Sequence, residues 1–239
     1  MNVKKQGRRS AEDAEQTKSD ILEAAAELFC ELGFERVSLR NISDKAGVSH
    51  SLIRHHFGSK EEIWHAISDE LHEFIVRYVA VVYQNMSKTV PANVQLFEFT
   101  KRMLAYMLVF KRPVQLMADA VRQEDALLDY FIGSSDDIES FVEGLVSAHN
   151  AAFPEAHIRM WDLKWQIVMY AHAAASLTPF LKETWSDETD DLNTCLLRHF
   201  MLFEQTMAAR LKIDNCYRSI PDSVEELVYE LPDSVTPEE

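Results

Sequence analysis

Five polar side chains crowd into one short stretch of the chain and could form hydrogen bonds with a polar partner. They are Ser49, His50, Ser51, Arg54 and His55. Hydroxyl, imidazole and guanidinium groups supply donors and acceptors, which is the chemistry needed to contact base edges or to hold an anion. The apolar Ile53 and Phe57 between and after them predict a short helix that buries one face and exposes the polar one.

Catalytic or metal chemistry is not indicated by the sequence. It contains no GxSxG, HExxH, P-loop or dinucleotide-binding motif, and the adjacent His55 and His56 cannot both face one metal ion from a single short helix. Cys30, Cys195 and Cys216 are odd in number and have no CxxC spacing, so neither a disulfide framework nor a zinc site is expected. We expect no enzyme activity, no metal and no cofactor.

The composition is that of a soluble helical protein. The 239 residues are 47% hydrophobic and 26% charged, with only six glycines and seven prolines. Scarce turn residues and abundant Ala, Leu, Glu and Met predict an all-α fold. No signal peptide or membrane-spanning run is visible, so we expect no membrane partner and a location in a reducing cytoplasm.

Charge is distributed unevenly along the chain. The net charge is −15, but residues 1–60 hold ten Lys and Arg against nine Asp and Glu, while residues 61–239 hold fourteen against thirty. Nucleic acid would be repelled by the acidic part, so a nucleic-acid partner must meet the first sixty residues. Chance and a solvated acidic surface explain the same asymmetry, and charge alone leaves both interpretations open.

The polar cluster lies in a predicted helix-turn-helix. Apolar spacing predicts a first helix over about 18–32, capped by Thr17 or Ser19 and ended by Gly33. Ser38 caps a second helix over 39–46. Gly47 and Val48 then separate it from Ser49, which caps a third helix through His56 or Phe57. Two short helices joined by a tight turn containing glycine are typical of this motif.

The rest of the chain is predicted as longer helices. Ser59 and Glu62 form a capping box ahead of a helix that reaches about Met86. Further helices are predicted over about 92–110, 113–124, 134–152, 157–178 and 188–211. An acidic tail follows Ile213, and in it Ser223 and Glu226 predict a capping box for one short helix that packs back on the body.

The run from Thr17 to Ile63 resembles the DNA-binding domain of the TetR (tetracycline repressor) family of transcriptional regulators. The resemblance rests on an ordered set: LFCELGF at the end of the first helix, Val37-Ser38, the turn AGVS, and HFGSKE leading into the long helix. It implies a three-helix DNA-binding head and a larger helical bundle for dimerisation and ligand binding. The predicted divisions are a disordered arm over 1–16, the head over 17–62, the body over 63–213 and the tail over 214–239.

The resemblance assigns roles to the polar residues of the head. Base edges in the major groove would be contacted by Ser49, His50, Ser51, Arg54 and His55, and phosphates by Ser38, Arg40 and Lys60. The sequence departs from the family at two of these positions. Arg54 stands where many relatives have tyrosine, so it could grip a phosphate or contact a guanine, and Ser51 stands where glycine is frequent. His50 could instead be a plain surface residue.

The same resemblance implies partners for the body. Two heads would act together on a palindromic operator, in a homodimer built from the segments Ile158–Thr178 and Glu188–Leu211. An unknown small-molecule effector would bind among apolar side chains, and an anionic effector would pair with Arg102, Arg122 or Arg159. The candidate lining residues, each of which could equally be plain core, are Met103, Tyr106, Met107, Phe110, Phe141, Leu145, His149, Trp161, Trp165, Met169 and His172.

Together these features predict a ligand-responsive homodimeric repressor whose effector releases the operator, with the long helix after Ser59 as the lever. Two alternatives stay open. The protein could be an effector-independent DNA-binding dimer regulated through a protein partner of its acidic body, and the basic residues Lys4–Arg9 could either follow a minor groove or have no role.

Overall fold

A computed structural model describes residues 5–121, Tyr130 and residues 136–231, with side chains described from residue 13 and, in the last range, from residue 138. Every regular element in these ranges is helical, which confirms the all-α prediction. The α-helices are α1 (Lys5–Leu32), α2 (Leu39–Ala46), α3 (His50–His56), α4 (Lys60–Asn85), α5 (Ala92–Val109), α6 (Arg112–Ala120), α7 (Asp136–Ala152), α8 (Met160–Ser176), α9 (Thr178–Thr184) and α10 (Leu192–Arg210). Short 3-10 helices cover Phe34–Arg36, Pro154–Ala156, Asn215–Tyr217 and Glu225–Leu227.

The described chain forms two compact units that differ from the predicted division. The first unit, the head, covers Met1–His72 and Leu116–Ser134, and the second, the body, covers Glu73–Gln115 and Ser135–Glu239. The boundary expected after residue 62 therefore falls after His72, because the first turns of α4 bury Ile63, Trp64 and Ile67 in the core of the head. Leu116 and Ala120 of α6 are buried in that same core, which brings a distant segment into the head.

The core of the head holds α1, α2 and α3 together. Ile21, Ile42 and Ile53, one from each helix, are fully buried. Gly47 ends α2 in the left-handed region at φ 68°, which a residue with a Cβ adopts only with strain. The predicted helix-turn-helix and its boundaries are confirmed.

The start of the first helix was predicted wrongly. Helix α1 begins at Lys5 and not at about residue 18, so residues 5–16 are helical where a disordered arm was expected. Thr17 does not cap the helix. Its hydroxyl donates to the carbonyl of Asp13 one turn earlier at 2.7 Å, which a threonine inside a helix can do. The Lys, Gln, Arg, Ala and Glu residues before it are good helix formers.

Helix α5 is the centre of the body. Twelve of its 18 residues are buried, and it packs against α7, α8 and α10. The helix expected over 157–178 begins at Met160 after the 3-10 turn and ends at Ser176. The short α9, which carries Pro179 in its first turn, follows and was not predicted. Among the described helices, none combines the length and the hydropathy required to cross a bilayer.

The segment after α10 folds back on the body, as predicted. Val224 and Leu227 are buried in its core. The helical turn is a 3-10 helix, however, and the capping box predicted from Ser223 and Glu226 is absent from it. The carboxylate of Glu226 instead accepts a hydrogen bond from the backbone N–H of Asp222 at 3.1 Å.

Candidate nucleic-acid interface and effector region

Helix α3 presents the predicted polar face. Ile53 is fully buried in the head and Phe57 packs against the same core, while Ser49, His50, Ser51, Arg54 and His55 are all exposed. A seven-residue helix anchored on one side by Ile53 holds these groups toward solvent. Their size and chemistry suit contacts with base edges in a major groove.

The serine hydroxyls of the head cap its helices. Ser38 Oγ accepts from the N–H of Asn41 at 3.2 Å, and Asn41 Oδ1 accepts from the backbone N–H of Ser38 at 2.9 Å, which completes a capping box. Ser49 Oγ accepts from the N–H of Leu52 at 3.2 Å and lies 2.9 Å from Ser51 Oγ. These bonds fix the starts of α2 and α3, so the first backbone amides of both helices are held in place.

Ser59 makes only half of the box predicted for it. Its hydroxyl accepts from the N–H of Glu62 at 3.2 Å, but its own backbone N–H donates to the carbonyl of Phe57. The pKa of the Glu61 carboxyl is lowered, mainly by a hydrogen bond from the backbone and secondly by a hydrogen bond from the Ser59 hydroxyl.

The cations of the head differ in availability. Arg54 is exposed, and Arg40 is exposed beside Asp44 at 3.9 Å. Lys45 forms an ion pair with Glu27 at 2.7 Å, and the hydrogen bond between them raises the pKa of the lysine. Arg36, an exposed cation at the end of the 3-10 turn, was not predicted as a site residue. It lies outside the motifs, so only its charge could have drawn attention to it.

Lys60 has a structural role that the sequence did not reveal. Its ammonium donates to the carbonyl of Phe34 at 2.7 Å and lies 4.0 Å from the centre of the Phe34 ring. It therefore ties the start of α4 to the turn after α1. An ammonium carries three protons, and those left over are what a phosphate contact would use, so that contact stays a prediction.

Asp119 is a second residue that sequence reasoning missed. Its Oδ2 accepts from the backbone N–H of Phe34 at 2.6 Å and the side chain is only 4% exposed. Gly33 lies beside it with φ 83°, and a Cβ built there would be 2.9 Å from Asp119 Oδ1. A contact that joins residues 85 positions apart leaves no local sequence signal.

The predicted effector residues separate into different environments. Met103, Tyr106 and Leu145 are buried, and Met107 and Phe141 pack against the same core. Trp161, Trp165 and Met169 are instead exposed on one face of α8, because they recur every four residues on the side away from the buried Leu163 and Ile167. These three side chains are not enclosed in the single chain, and their assignment to the effector site stays a prediction.

Both predicted histidines make contacts within the body. His149 is fully buried, its Nε2 donates to the carbonyl of Ala156 at 2.8 Å, and its ring stacks on Phe153. It therefore holds the 3-10 turn after α7. His172 Nδ1 lies 3.3 Å from Ser176 Oγ within α8. Among the described residues, no group of three or more His, Cys, Asp and Glu side chains is placed to hold a metal ion.

Two of the three predicted arginine anchors form contacts within the body. Arg102 donates to the carbonyl of Leu227 at 2.7 Å and lies 4.0 Å from the centre of the Tyr229 ring, so it fastens the carboxy-terminal segment. Arg159 forms a two-bond pair with Asp162 on the surface. Arg122 lies outside the described residues.

A cleft of about 270 Å³ lies between α4, α5 and the carboxy-terminal segment of the body. Tyr106 and Phe110, both predicted effector residues, are part of its wall. Phe74 and Tyr78, which also line it, were not predicted because apolar residues on a helix are indistinguishable from core in the sequence. Tyr229 lines it from the segment after the last 3-10 helix, where the sequence carries no motif. A second cleft of the same volume has Arg102 and Tyr229 among its lining residues.

Large apolar side chains are exposed on α8, α9 and α10, three helices that pack against one another. Beside the α8 tryptophans, Phe180 is 71% exposed, Leu177 54% and Leu202 48%. Several large apolar side chains on neighbouring helices are typical of a surface that meets another protein. The segments predicted for the dimer contribute Trp161, Trp165 and Leu202.

The head defines the class of this molecule as a helix-turn-helix protein. Residues 21–67 match the family model described as bacterial regulatory proteins, tetR family. The regulator TtgR of Pseudomonas putida is 41% identical over 66 residues, which are 28% of this chain and 31% of that protein. The repressor AcnR of Corynebacterium glutamicum is 37% identical over 54 residues, which are 23% of this chain and 29% of that one. The chain thus aligns with less than a third of the length of these relatives.

Solved structures with low sequence identity share the fold of this chain over most of its length. A TetR transcription regulator from Haloarcula marismortui superposes with a TM-score of 0.59 at 15% identity, covering 83% of this chain and 97% of that one. FadR of Bacillus subtilis, solved with stearoyl-CoA, gives 0.57 at 13% identity, with 81% and 97% covered. Residues 21–67 are thus similar to the DNA-binding domain of the tetR family of bacterial regulatory proteins, and the chain shares the fold of the solved regulators.

Proposed function

We propose that the protein is a ligand-responsive homodimeric repressor that binds a palindromic operator through α3. The observation that carries this proposal is the exposed polar face of α3 on a head that matches the family model. Ser49, His50, Ser51, Arg54 and His55 contact base edges, while Ser38, Arg40 and Lys60 position the phosphates. As a regulator of bacterial genes, the protein acts in the cytoplasm.

Dimerisation is supported by the apolar surface of α8, α9 and α10. Trp165 and Phe180 are 65% and 71% exposed in the single chain, and burying them stabilises a complex by the hydrophobic effect. A twofold axis between two copies would place two heads on two half-sites of one operator. Dimer formation thus supplies the contact area that one head lacks.

Effector response is supported by the cleft beside α4. Helix α4 runs from Lys60 in the head to Asn85 in the body. A ligand that contacts Phe74 or Tyr78 therefore contacts a helix whose first turns belong to the head. A ligand that binds better to the form unable to hold DNA lowers operator affinity by its differential affinity for the two forms. The structure of FadR of Bacillus subtilis was solved with stearoyl-CoA, which shows that a protein of this fold can bind a small molecule.

The DNA-binding half of the proposal is tested by selecting an operator from random duplexes and titrating it over a salt series. Arg54→Ala should cost about 1–3 kcal/mol and relax sequence preference at one position, if this side chain contacts a base. Arg40→Ala should weaken binding to all sequences and should reduce the slope of log K against the logarithm of salt concentration by about one. Lys88→Ala, at an exposed position of the body outside the proposed dimer surface, is the control and should change neither. Failure to select any sequence would contradict the proposal.

The alternative is an effector-independent dimer controlled by a protein partner of its acidic body. The observation in its favour is the abundance of exposed Asp and Glu in the second unit. Native mass spectrometry of the purified dimer discriminates the two. A small molecule that co-purifies and is lost when operator binds favours the repressor with an effector.

A further inference from the structure

The second cleft of the body, with a volume of about 270 Å³, is bounded by two parts of the chain that are far apart in the sequence. One part comprises the end of α4, the connection to α5 and the amino-terminal half of α5. The other is the segment after α10, which contributes Tyr217 and Tyr229. Met86, Val90 and Val94 supply apolar side chains to the lining. A small cleft with apolar side chains and a few polar groups suits a compact ligand.

Arg102 of α5 brings to this cleft a positive charge without a counter-ion. It is half-buried, it donates one hydrogen bond to the carbonyl of Leu227 at 2.7 Å, and its guanidinium lies 4.0 Å from the centre of the Tyr229 ring. A guanidinium has five N–H groups in one plane, and stacking occupies only a face of that plane. Among the described residues, no carboxylate forms an ion pair with Arg102. Its edge therefore keeps N–H donors for a further partner.

Other arginines of the body are paired with acidic side chains. Arg159, Arg198, Arg210 and Arg218 each lie within 3.3 Å of a carboxylate oxygen. Residues 61–239 contain thirty Asp and Glu, so potential partners are abundant, and yet Arg102 has a neutral carbonyl and a ring instead. A guanidinium that is partly removed from water without a counter-ion is costly, and an anion from outside the chain would offset that cost.

The carboxylate that lines the cleft does not cancel the charge of Arg102. It belongs to Glu98, and its Oε1 lies 2.5 Å from the ammonium of Lys101. Lys101 is only 2% exposed, and an ammonium buried to this extent requires a counter-ion. Glu98 and Lys101 therefore neutralise each other, and Arg102 leaves the cleft with an excess of positive charge.

Two tyrosines of the segment after α10 add hydroxyl groups to the lining. Tyr217 is held in place by its neighbour Arg218, which donates two hydrogen bonds to Glu204, and Tyr229 is held by the ring contact with Arg102. Among the described residues, neither tyrosine hydroxyl has a hydrogen-bond partner. A phenolic O–H can donate to an anion, so both hydroxyls could share a ligand with the guanidinium.

We infer that this cleft binds a compact carboxylate with a short apolar chain. Arg102 and the hydroxyls of Tyr217 and Tyr229 bind the carboxylate, because a guanidinium edge matches the two oxygens of that group. The apolar side chains of the lining contact the chain of the ligand. Such a ligand would join the connection between α4 and α5 to the segment after α10. The inference goes beyond the proposed function, since this binding requires neither DNA nor a change in operator affinity.

Three probes with the same chain length and different charge test the inference. They are hexanoate, hexanamide and hexylammonium, each titrated by calorimetry into the full-length protein. We expect hexanoate to bind about tenfold or more tightly than hexanamide, since hydrogen bonds to a charged partner are the stronger ones, and hexylammonium to bind most weakly. Equal binding of the three probes, or no binding of hexanoate, would overturn the inference.

Two bulky substitutions locate the site. Val90→Trp fills the second cleft, whereas Phe110→Trp adds bulk to the first cleft, which Val90 does not line. We expect Val90→Trp to abolish hexanoate binding and Phe110→Trp to leave it unchanged. The reverse result would place the carboxylate in the first cleft and contradict the assignment.

Polar variants test the groups assigned to the carboxylate. Arg102→Gln should weaken hexanoate about tenfold or more and remove its advantage over hexanamide, while Arg77→Gln, at an exposed position outside the lining, should retain both. Circular dichroism checks that the variants are folded. Since Arg102 also fastens the segment after α10, Tyr217→Phe gives an independent test, and we expect it to weaken hexanoate about threefold. Unchanged hexanoate affinity in folded Arg102→Gln, or in Tyr217→Phe should Arg102→Gln not fold, shows that these groups do not bind the carboxylate.

Discussion

At the scale of single residues, the head is held together by polar contacts between groups distant in the sequence. The backbone of Phe34 illustrates this, because its N–H donates to Asp119 and its carbonyl accepts from Lys60. Buried backbone groups must be paired, and here two side chains from other helices pair them. The turn between α1 and α2 is therefore fixed by α4 and α6.

Substitution at Gly33 tests how tightly that turn is packed. Gly33→Ala places a methyl group 2.9 Å from Asp119 Oδ1 at a φ of +83°, whereas Gly47→Ala has a similar φ of +68° and open space around it. We expect both variants to lose about 1 kcal/mol through backbone strain, and Gly33→Ala to lose more through the clash. Urea denaturation measures both. Equal losses would show that Asp119 moves away without cost.

These residues also show where sequence reasoning reached its limit. The caps at Ser38 and Ser49 and the exposed face of α3 were predictable, because caps and helix faces depend on neighbours three or four positions away. Asp119 was not, since its partner is 85 positions away. The exposure of Trp161 and Trp165 was not predictable, because an apolar stripe has the same spacing whether it is covered by core or by a partner.

At the scale of elements, α8 and α10 are joined by a buried histidine. His199 Nε2 donates to the carbonyl of Tyr170 at 2.8 Å, and burial lowers the pKa of His199 below its ordinary value. The folded state therefore favours the neutral imidazole. Its contribution to stability is fully present above the unfolded pKa of about 6.5 and is lost as the pH falls toward the folded value.

His199→Gln should flatten the dependence of stability on pH. The wild-type free energy of unfolding should fall between pH 7.5 and 5.5, and the variant should lose less over the same range. His157→Gln, at an exposed position, is the matched control and should behave like wild type. Urea titrations at both pH values give the comparison, and identical slopes in all three proteins would contradict the assignment.

The carboxy-terminal segment is also held by an ion pair between Arg218 and the buried carboxylate of Glu204. Arg218 donates two hydrogen bonds to Glu204, at 2.9 and 2.8 Å, and Glu204 is only 1% exposed. Arg218→Met should lower the free energy of unfolding because it leaves the Glu204 carboxylate buried without its partner. Glu204→Gln/Arg218→Met should recover part of that loss. A double-mutant cycle by chemical denaturation would show a coupling near zero if the pair contributes nothing.

At the scale of the whole molecule, charge is divided along the chain and the two units use it differently. The first sixty residues are nearly neutral, with ten Lys and Arg against nine Asp and Glu, so their exposed cations can meet phosphates. The remainder carries thirty acidic residues against fourteen basic ones. This acidity attracts small cations and keeps the body from binding DNA without specificity.

Self-association should depend on the apolar end of the body. Trp165→Glu puts a charge on a side chain that is 65% exposed in the single chain and that the proposed dimer buries. We expect the variant to be a folded monomer at micromolar concentration and to bind operator at least tenfold more weakly. Glu143→Gln serves as control. Sedimentation velocity would reveal an unchanged dimer if this face is not the interface.

Because α6 contributes Leu116 and Ala120 to the core of the head, the head cannot be transferred to another protein as one continuous segment. A chimera that joins only the first 72 residues to another protein would omit Leu116, Asp119 and Ala120. Part of the apolar core of the head would then be exposed to solvent, and the backbone N–H of Phe34 would lose its hydrogen-bond acceptor. Such a graft should fold poorly however well its reading helix is preserved. A chimera that keeps the head intact must therefore include the α6 segment as well as the first 72 residues.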